Sequence, residues 1–260
     1  MRKTLNWLGL VAILFACQDP GTNSSSENPP QQDSQAVQIM PPDLDTAALV
    51  LETAPPRDTS ALERRLIKQG LVNFIDYAPE AIIDMKYSTK DNFMAEDVYE
   101  DFAECYLQKE VAERLSKAQD LIMAKHPRIR LLIYDCVRPR TVQHKMWEVV
   151  KDSYQKKYVA APGGGGSMHN YGAAVDLGLV HLDTGVVDMG TDFDFFGELA
   201  QPRYEEKFVA EGVFSKSQLV NRRIMRAALL EVGFHGILSE WWHFVGFPRD
   251  TVRARYKIVE

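Results

Sequence analysis

Two short segments of the chain combine residue types that can bind a metal ion. In the first, the order His-Asn-Tyr-Gly-Ala-Ala-Val-Asp places His169 seven positions before Asp176. In the second, Glu240 stands three positions before His243, with two tryptophans between them. A catalytic zinc site uses three protein ligands, commonly imidazole or carboxylate, and keeps a fourth position open. The two segments therefore contain a candidate ligand set of His169, Asp176 and His243.

Each of these residues also has a simpler interpretation when it is taken alone. A single histidine beside glycine is more often a hydrogen-bonded loop residue, and Asp176 alone would be a turn carboxylate. Glu240 and His243 would face opposite sides of one regular strand, because side chains alternate along a strand. A bulge or a strand end at the tryptophans would bring them to one side. The zinc hypothesis therefore depends on the conjunction of both segments.

The elements that position these residues can be inferred from their patterning. The spacing of His169 and Asp176 suits neither one helical face nor one strand face, so we predict a loop that enters a strand. That strand is predicted at 175–181 and is followed by a hairpin turn at 182–185. A later strand, predicted at 241–247, would carry the second histidine.

The rest of the chain favours an α+β fold, in which a largely antiparallel sheet is packed with helices on one side. Apolar residues recur at helical spacing from Leu107 to Ile122, which predicts a long amphipathic helix ending near His126. Ser60 and Thr141 are predicted N-caps of two further helices. The other predicted elements are strands at 71–77, 82–87, 130–135 and 234–238 and a helix at 221–232.

The composition limits the classes of function. The chain has 260 residues, of which 45% are hydrophobic and 25% are charged, and this suits one sizeable globular domain. Its formal net charge of -6 provides no basic surface, so we expect no nucleic-acid partner. The run of four glycines before Ser167 lacks the Lys-Ser/Thr ending of a P-loop and does not indicate phosphate binding.

Five segments in a fixed order resemble the zinc DD-peptidase and Hedgehog-like metallopeptidase family. Within it they are similar to the D-alanyl-D-alanine dipeptidases of the vancomycin-resistance type. The most specific are S-x-H-x-x-G-x-A-x-D, which begins at Ser167, and Glu-Trp-Trp-His, which ends at His243. The other three segments lie at 83–93, 134–139 and 189–194, and the resemblance extends from about Val72 to Phe247.

The resemblance implies one zinc ion per chain, bound by His169, Asp176 and His243 with water at the fourth position. Glu240 then falls on the family's general base. That residue would take the proton of the zinc-activated water and deliver it to the leaving amine. The alternative for Glu240 is a carboxylate without a catalytic role, either on the surface or in support of the metal ligands.

Three further residues match positions that act on the substrate in this family. Arg138 matches the arginine that stabilises the oxyanion of the tetrahedral intermediate, and a structural salt bridge with Asp135 or a nearby carboxylate is the alternative. Asp194 matches the acidic residue that recognises the amino terminus of the dipeptide, although Asp192 is close enough to be confused with it. Ser167 matches a serine near the substrate carboxylate or the metal loop, and a turn hydroxyl is the alternative.

The expected function is therefore zinc-dependent hydrolysis of the D-alanyl-D-alanine dipeptide in peptidoglycan metabolism. A D,D- or L,D-carboxypeptidase would keep the metal and act on peptidoglycan stem peptides instead. A non-catalytic cell-wall binding module would use the metal for structure alone. Replacing Glu240 separates the enzyme from the module, because only the enzyme needs a proton carrier.

The N-terminal residues are predicted to direct export rather than to join the fold. Two basic residues precede an apolar run that is too short to span a bilayer, as in a signal peptide at 1–16. Leu-Phe-Ala-Cys then resembles a bacterial lipobox, so we expect Cys17 to be lipidated and to anchor the chain to a membrane. An ordinary signal peptide with an incidental cysteine is the alternative. A polar, proline-rich linker at 17–62 and a zinc dipeptidase domain at 63–260 complete the organisation, with the protein held in the periplasm or cell envelope.

Two further cysteines, Cys105 and Cys136, lie within the predicted domain. In an oxidising compartment they could pair, and they could equally be buried free thiols. Neither has the spacing of a metal-binding knuckle. Because a single pair without geometry is a weak indication, free thiols are the favoured expectation.

Overall fold

The computed structural model describes residues 59–260 of the chain. The predicted signal peptide at 1–16, the lipidation site Cys17 and nearly all of the predicted linker lie outside the described residues. Across 59–260 no helix is both long enough and apolar enough to cross a membrane.

Six strands form the main sheet, and two more form a small separate sheet. The strands are β1 Leu71–Asn73, β2 Ile82–Ile83, β3 Tyr106–Gln108, β4 Ile129–Asp135, β5 Ala174–His181, β6 Gly185–Val186, β7 His235–Gly236 and β8 His243–Val245. The main sheet has the order β2-β4-β5-β8-β7, with β6 paired to β5, and β1 pairs with β3. Among the described strands only β2 and β4 run parallel. The predicted largely antiparallel sheet is confirmed.

Six α-helices lie in residues 59–260 beside the strands of this α+β fold. They are α1 Ala61–Lys68, α2 Lys109–Lys125, α3 Arg140–Val150, α4 Glu205–Ala210, α5 Lys216–Glu231 and α6 Arg249–Arg255. The two longest, α2 and α5, pack against each other and against the sheet, α2 on β4 and α5 on β5 and β7. Val111, Leu115 and Ile122 of the predicted apolar face of α2 are buried.

The helix starts follow from local capping chemistry. Ser60 caps α1 as predicted, since its hydroxyl accepts a hydrogen bond from Glu63 N at 3.1 Å. The predicted cap at Thr141 is wrong, because α3 already begins at Arg140. The preceding proline has φ -54° and ψ 149°, an extended conformation from which its carbonyl accepts the first helical hydrogen bond.

Several predicted strands are shorter in the structure. The segment at 71–77 is a strand only as far as Asn73, whose side chain accepts a hydrogen bond from Ile75 N at 3.2 Å and starts a 3-10 turn. The segment at 82–87 likewise gives way to a 3-10 turn at Lys86–Ser88. At the C-terminal end, the strand predicted at 241–247 begins only at the histidine. This late start removes the alternation problem for Glu240.

Cys105 and Cys136 form a disulfide, so the expectation of free thiols is wrong. Cys105 directly precedes β3 and Cys136 directly follows β4, and both are fully buried. The two strand ends meet because Val137 N donates a hydrogen bond to Tyr106 O at 3.1 Å. A separation of 31 positions gives no sign of this meeting in the sequence.

Candidate active site

The loop before β5 brings His169 close to Asp176. Residues Met168–Tyr171 form a 3-10 turn that ends at Gly172, whose φ of +62° lies in the left-handed region. A Cβ atom at this glycine would approach Leu71 Cδ2 to 2.7 Å, so both the backbone conformation and the space require glycine. The predicted loop entering a strand is confirmed.

Asp176 and His243 are neighbours across the sheet. Strands β5 and β8 are antiparallel, and their register places Asp176 directly opposite His243. Side chains of directly opposite residues extend from the same face of a sheet. The carboxylate and the imidazole therefore lie side by side, at the edge where the loop with His169 arrives.

Three donor atoms converge at this edge. His243 Nδ1 lies 2.9 Å from Asp176 Oδ1, and His169 Nε2 lies 3.1 Å from His243 Nδ1 and 3.3 Å from Asp176 Oδ1. Ligand atoms about 2.1 Å from a tetrahedral zinc ion stand roughly 3.4 Å apart, so only a small expansion of this triangle is needed. Within 59–260 no second group of three His, Cys, Asp or Glu residues is arranged to hold a metal. The donor types and their spacing fit zinc.

A backbone carbonyl fixes the orientation of His169. This side chain is buried, and its Nδ1 lies 2.6 Å from Cys136 O. Because a carbonyl can only accept a hydrogen bond, Nδ1 carries the hydrogen and Nε2 turns its lone pair toward Asp176 and His243. A hydrogen bond of this kind sets the tautomer and ring direction of metal-binding histidines.

The charge of Asp176 is favoured by the two histidines. Burial alone would raise the pKa of this carboxyl, but His169 and His243 outweigh burial and hold the pKa well below its usual range. A metal ligand of this type has to be deprotonated. The carboxylate is thus already in the form that binds a cation.

One pocket of about 530 Å³ gathers the predicted site residues that lie in the described part of the chain. Its lining includes Arg138, Ser167, His169, Asp176, Asp194, Glu240 and His243. The structure therefore places these residues around one pocket. The role of each side chain follows from its own contacts.

Glu240 lies in the bend before β8, on the same side as the candidate ligands. Burial raises the pKa of its carboxyl to about 8, with His243 opposing and Asp176 reinforcing this shift. The side chain is half-buried and lines the pocket. It is therefore a largely desolvated carboxyl next to the donor triangle and is not a surface carboxylate.

The two tryptophans after Glu240 hold this bend in place. Trp242 is 1% exposed and packs edge-on against Phe193, with ring centroids 5.4 Å apart. Trp241 donates a hydrogen bond from Nε1 to Thr191 Oγ1 at 2.8 Å. Phe193 and Thr191 belong to the segment that carries Asp194. The segment with Glu240 is therefore packed against the segment with Asp194.

Arg138 is held by other side chains and still faces the pocket. Its Nε and Nη2 donate to Asp135 Oδ2 at 2.9 and 2.6 Å, and its Nη1 donates to Gln143 Oε1 at 3.1 Å. Although burial would lower the pKa of the guanidinium, the Asp135 carboxylate raises it well above its usual range. A guanidinium has five N–H groups, so these three bonds leave two that neither Asp135 nor Gln143 occupies. Nη2 also lies 3.7 Å from Asp176 Oδ2, beside the donor triangle. The salt bridge is real, and it is compatible with a role in binding an anion.

Asp194 is the acidic residue of its segment that faces the candidate ligands. The Tyr87 hydroxyl contacts its two carboxylate oxygens at 2.9 and 3.1 Å. Burial raises the pKa of Asp194 to about 8, and Asp176 adds to the shift while the Tyr87 hydrogen bond opposes it. Asp192 is exposed and lines only an adjoining cavity of about 1020 Å³. The structure thus identifies Asp194, and not Asp192, as the aspartate that lines the pocket with the candidate ligands.

Ser167 acts as a cap in the turn that carries His169. Its hydroxyl oxygen accepts a hydrogen bond from His169 N at 3.3 Å, and its backbone N–H donates to Asn170 Oδ1 at 2.7 Å. This is the turn hydroxyl that the sequence left as an alternative. Ser167 also lines the pocket.

A family model described as D-ala-D-ala dipeptidase matches residues 68–258, a range that contains the whole pocket. The chain belongs to the D-ala-D-ala dipeptidase family. It is a metallopeptidase, and the resemblance stated from the motifs is confirmed.

Three proteins named D-alanyl-D-alanine dipeptidase illustrate the relationship within this family. The one from Escherichia coli (strain K12) is 30% identical over 174 residues, which are 67% of this chain and 83% of that protein. The one from Enterococcus faecium is 34% identical over 183 residues, 62% of this chain and 84% of the relative. The one from Enterococcus faecalis (strain ATCC 700802 / V583) is 33% identical over 182 residues, 62% of this chain and 83% of the relative.

The sequence did not predict the groups that hydrogen-bond to the side chains of the dipeptidase site and orient them. Tyr87 donates a hydrogen bond to Asp194, although the two residues are 107 positions apart in the sequence. Gln143 stands five positions after Arg138, and only the structure shows that the two side chains meet. The carbonyl of Cys136 could not have been found, because a backbone group leaves no signal in the residue types.

Proposed function

We propose that this chain is a zinc-dependent dipeptidase that hydrolyses D-Ala-D-Ala, or a closely similar D,D-dipeptide, in peptidoglycan metabolism. The observation that carries the proposal is the donor triangle of His169, Asp176 and His243, with no edge longer than 3.3 Å, in a pocket that also contains Glu240. The names of the relatives supply the candidate substrate.

Zinc bound by the triangle would supply Lewis-acid activation of a water molecule and of the scissile carbonyl. Glu240 would serve as the proton carrier. Its carboxylate would accept a proton from the attacking water and return that proton to the amine nitrogen as the C–N bond breaks. The position of Glu240 in the pocket beside the donor triangle supports this role, since a proton carrier has to reach the reacting atoms. A cation bound by the triangle would lower the pKa of this carboxyl from about 8 and so favour the carboxylate that accepts the proton.

Arg138 would stabilise the negative charge that develops on the carbonyl oxygen. Asp135 and Gln143 fix the plane of its guanidinium, so the two remaining N–H groups are oriented before the reaction. Donors that are preorganised in this way stabilise a transition state without a cost of reorganisation.

Asp194 and Ser167 would recognise the two ends of the dipeptide. The Asp194 carboxylate would bind the free ammonium group, which would in turn favour the charged form of the carboxyl and lower its pKa. The Ser167 hydroxyl would donate a hydrogen bond to the substrate carboxylate. A pocket of about 530 Å³ with a fixed carboxylate and a fixed hydroxyl suits a small zwitterion.

Metal analysis of the purified protein, followed by a panel of substrates, tests the proposal. The panel contains free D-Ala-D-Ala, its L,L and mixed stereoisomers, and a stem peptide ending in D-Ala-D-Ala. We expect one zinc per chain and rapid hydrolysis of the free D,D-dipeptide. Preferential cleavage of the stem peptide would favour a carboxypeptidase, and zinc binding without hydrolysis of any member would favour a binding module.

We also propose that the protein acts in the periplasm or cell envelope, anchored to a membrane by lipid on Cys17. The basic, apolar and cysteine-terminated order of the first 17 residues supports the anchor. The Cys105–Cys136 disulfide supports an oxidising compartment. Fractionation of cells that express the parent and Cys17→Ala tests the anchor. The parent should sediment with membranes, and equal sedimentation of the variant would contradict the proposal.

A further inference from the structure

The Cys105–Cys136 disulfide lies directly behind the candidate metal site. Cys136 is the residue whose carbonyl accepts the hydrogen bond from His169 Nδ1 at 2.6 Å, and it stands two positions before Arg138. Both sulfurs belong to fully buried residues. The crosslink therefore joins a residue that contacts a candidate ligand to the beginning of β3.

The backbone at Cys136 has left the regular part of the main sheet. The register of β4 with β5 shifts between Ile133 and Asp135, and β4 ends at Asp135. The next residue, Val137, is tied to β3 by its hydrogen bond to Tyr106 O. The side chain of Cys136 itself is fixed by the covalent bond to Cys105. The disulfide thus holds the backbone directly after the last paired residue of β4.

We propose that this disulfide is a positioning element for the metal site. It would hold the Cys136 carbonyl at the point where it keeps the His169 ring turned, with Nε2 toward Asp176 and His243. Cys136 touches neither metal nor substrate in this arrangement and acts through His169. The inference rests on the proposed zinc function, because ring orientation matters to function only when a metal binds.

A small displacement of the Cys136 carbonyl is enough to break its hydrogen bond with His169. A shift of the carbonyl by about 1 Å would lengthen the 2.6 Å contact beyond hydrogen-bonding range. The imidazole could then turn or exchange its tautomer, and its Nε2 would be correctly directed for only part of the time. Arg138 would be affected as well, since its backbone N–H donates to His169 O at 3.0 Å.

The test compares the zinc affinity of the full chain with that of the double variant Cys105→Ala/Cys136→Ala. Competition with a chromophoric chelator gives the dissociation constant, and the cobalt-substituted proteins give a visible spectrum that reports ligand geometry. Losing the hydrogen-bonding partner of a metal ligand weakens metal binding by roughly tenfold to a hundredfold. Because the double variant keeps the carbonyl of residue 136 and only releases its position, we expect a loss at the lower end of that range, about tenfold, together with an altered cobalt spectrum.

The matched control is Ile122→Ala, which removes a buried side chain from α2 without touching the site. Both variants should unfold at lower urea concentration than the parent, but only the double variant should lose zinc affinity. Equal zinc affinity and an identical cobalt spectrum in the folded double variant would overturn the inference while leaving the proposed function intact. A parent that binds no zinc would overturn both.

If the double variant fails to fold, the parent is first folded with its disulfide intact and is then reduced. A trialkylphosphine takes oxygen from water while the two sulfurs become thiols, and mass spectrometry after alkylation verifies the reduction. After removal of the phosphine, the reduced protein should show the same loss of zinc affinity. Unchanged affinity would again contradict the positioning role.

Discussion

Replacing Arg138 with lysine should reduce hydrolysis of D-Ala-D-Ala by about a hundredfold or more. The structure shows three of the five guanidinium N–H groups bound to Asp135 and Gln143, which leaves two that these residues do not occupy. A lysine has three N–H groups on a flexible chain, and its ammonium group would pair with the buried Asp135 carboxylate. The developing oxyanion would then lose its donors, and loss of one such donor costs about 3–4 kcal/mol of transition-state stabilisation.

The assay is steady-state kinetics on the dipeptide, with zinc content and urea unfolding measured on the same preparations. The variant keeps a cation beside Asp135, which avoids the loss of about 3–5 kcal/mol that follows when a buried charge is left alone. Arg128→Lys is the matched control, because Arg128 pairs with Asp183 on the exposed surface and should be replaceable without effect on activity. An Arg138→Lys variant with one zinc and more than about half of the parental kcat/KM would refute the oxyanion role.

Three further perturbations test other parts of the site. Asp194→Ala should lower kcat/KM for the free dipeptide more than for a stem peptide, because only the former presents an ammonium group there; equal losses in parallel assays would contradict the role of Asp194. Gly172→Ala should destabilise the fold by at least about 1–2 kcal/mol in urea unfolding, because the left-handed backbone is strained for alanine, and the new Cβ would meet Leu71. An unchanged unfolding midpoint would contradict this reasoning. Removing metal with a chelator should lower Tm, and added zinc should restore it, with about 4 kcal/mol regained at a thousandfold excess over Kd. A Tm that does not respond to zinc would count against a folded-state metal site.

The candidate ligand set could be proposed from sequence because two short motifs, one with His169 and Asp176 and one with His243, carry its chemistry and match the family together. His169 and Asp176 flank Gly172 in the sequence. The φ of this residue lies in the left-handed region, which favours glycine. The concern that Glu240 and His243 would point apart came from assuming a longer strand. The strand starts at the histidine, so the alternation rule does not apply to the glutamate.

The parts that could not be predicted depend on contacts between distant segments. The disulfide forms because the start of β3 lies beside the end of β4, and the residues around Cys105 and Cys136 do not encode that meeting locally. The strand predicted at 71–77 is cut short because the Asn73 side chain caps a 3-10 turn that begins at Phe74. An apolar run shows that a segment is buried, but it does not decide between a strand and a 3-10 turn.

The most direct test of the central claim is the activity of Glu240→Gln at known zinc content. The substitution keeps the size of the side chain and removes its ability to carry a proton. The account predicts one zinc per chain, as in the parent, and hydrolysis of D-Ala-D-Ala reduced by at least about a hundredfold. A zinc-loaded Glu240→Gln protein that hydrolyses the dipeptide at the parental rate would contradict it.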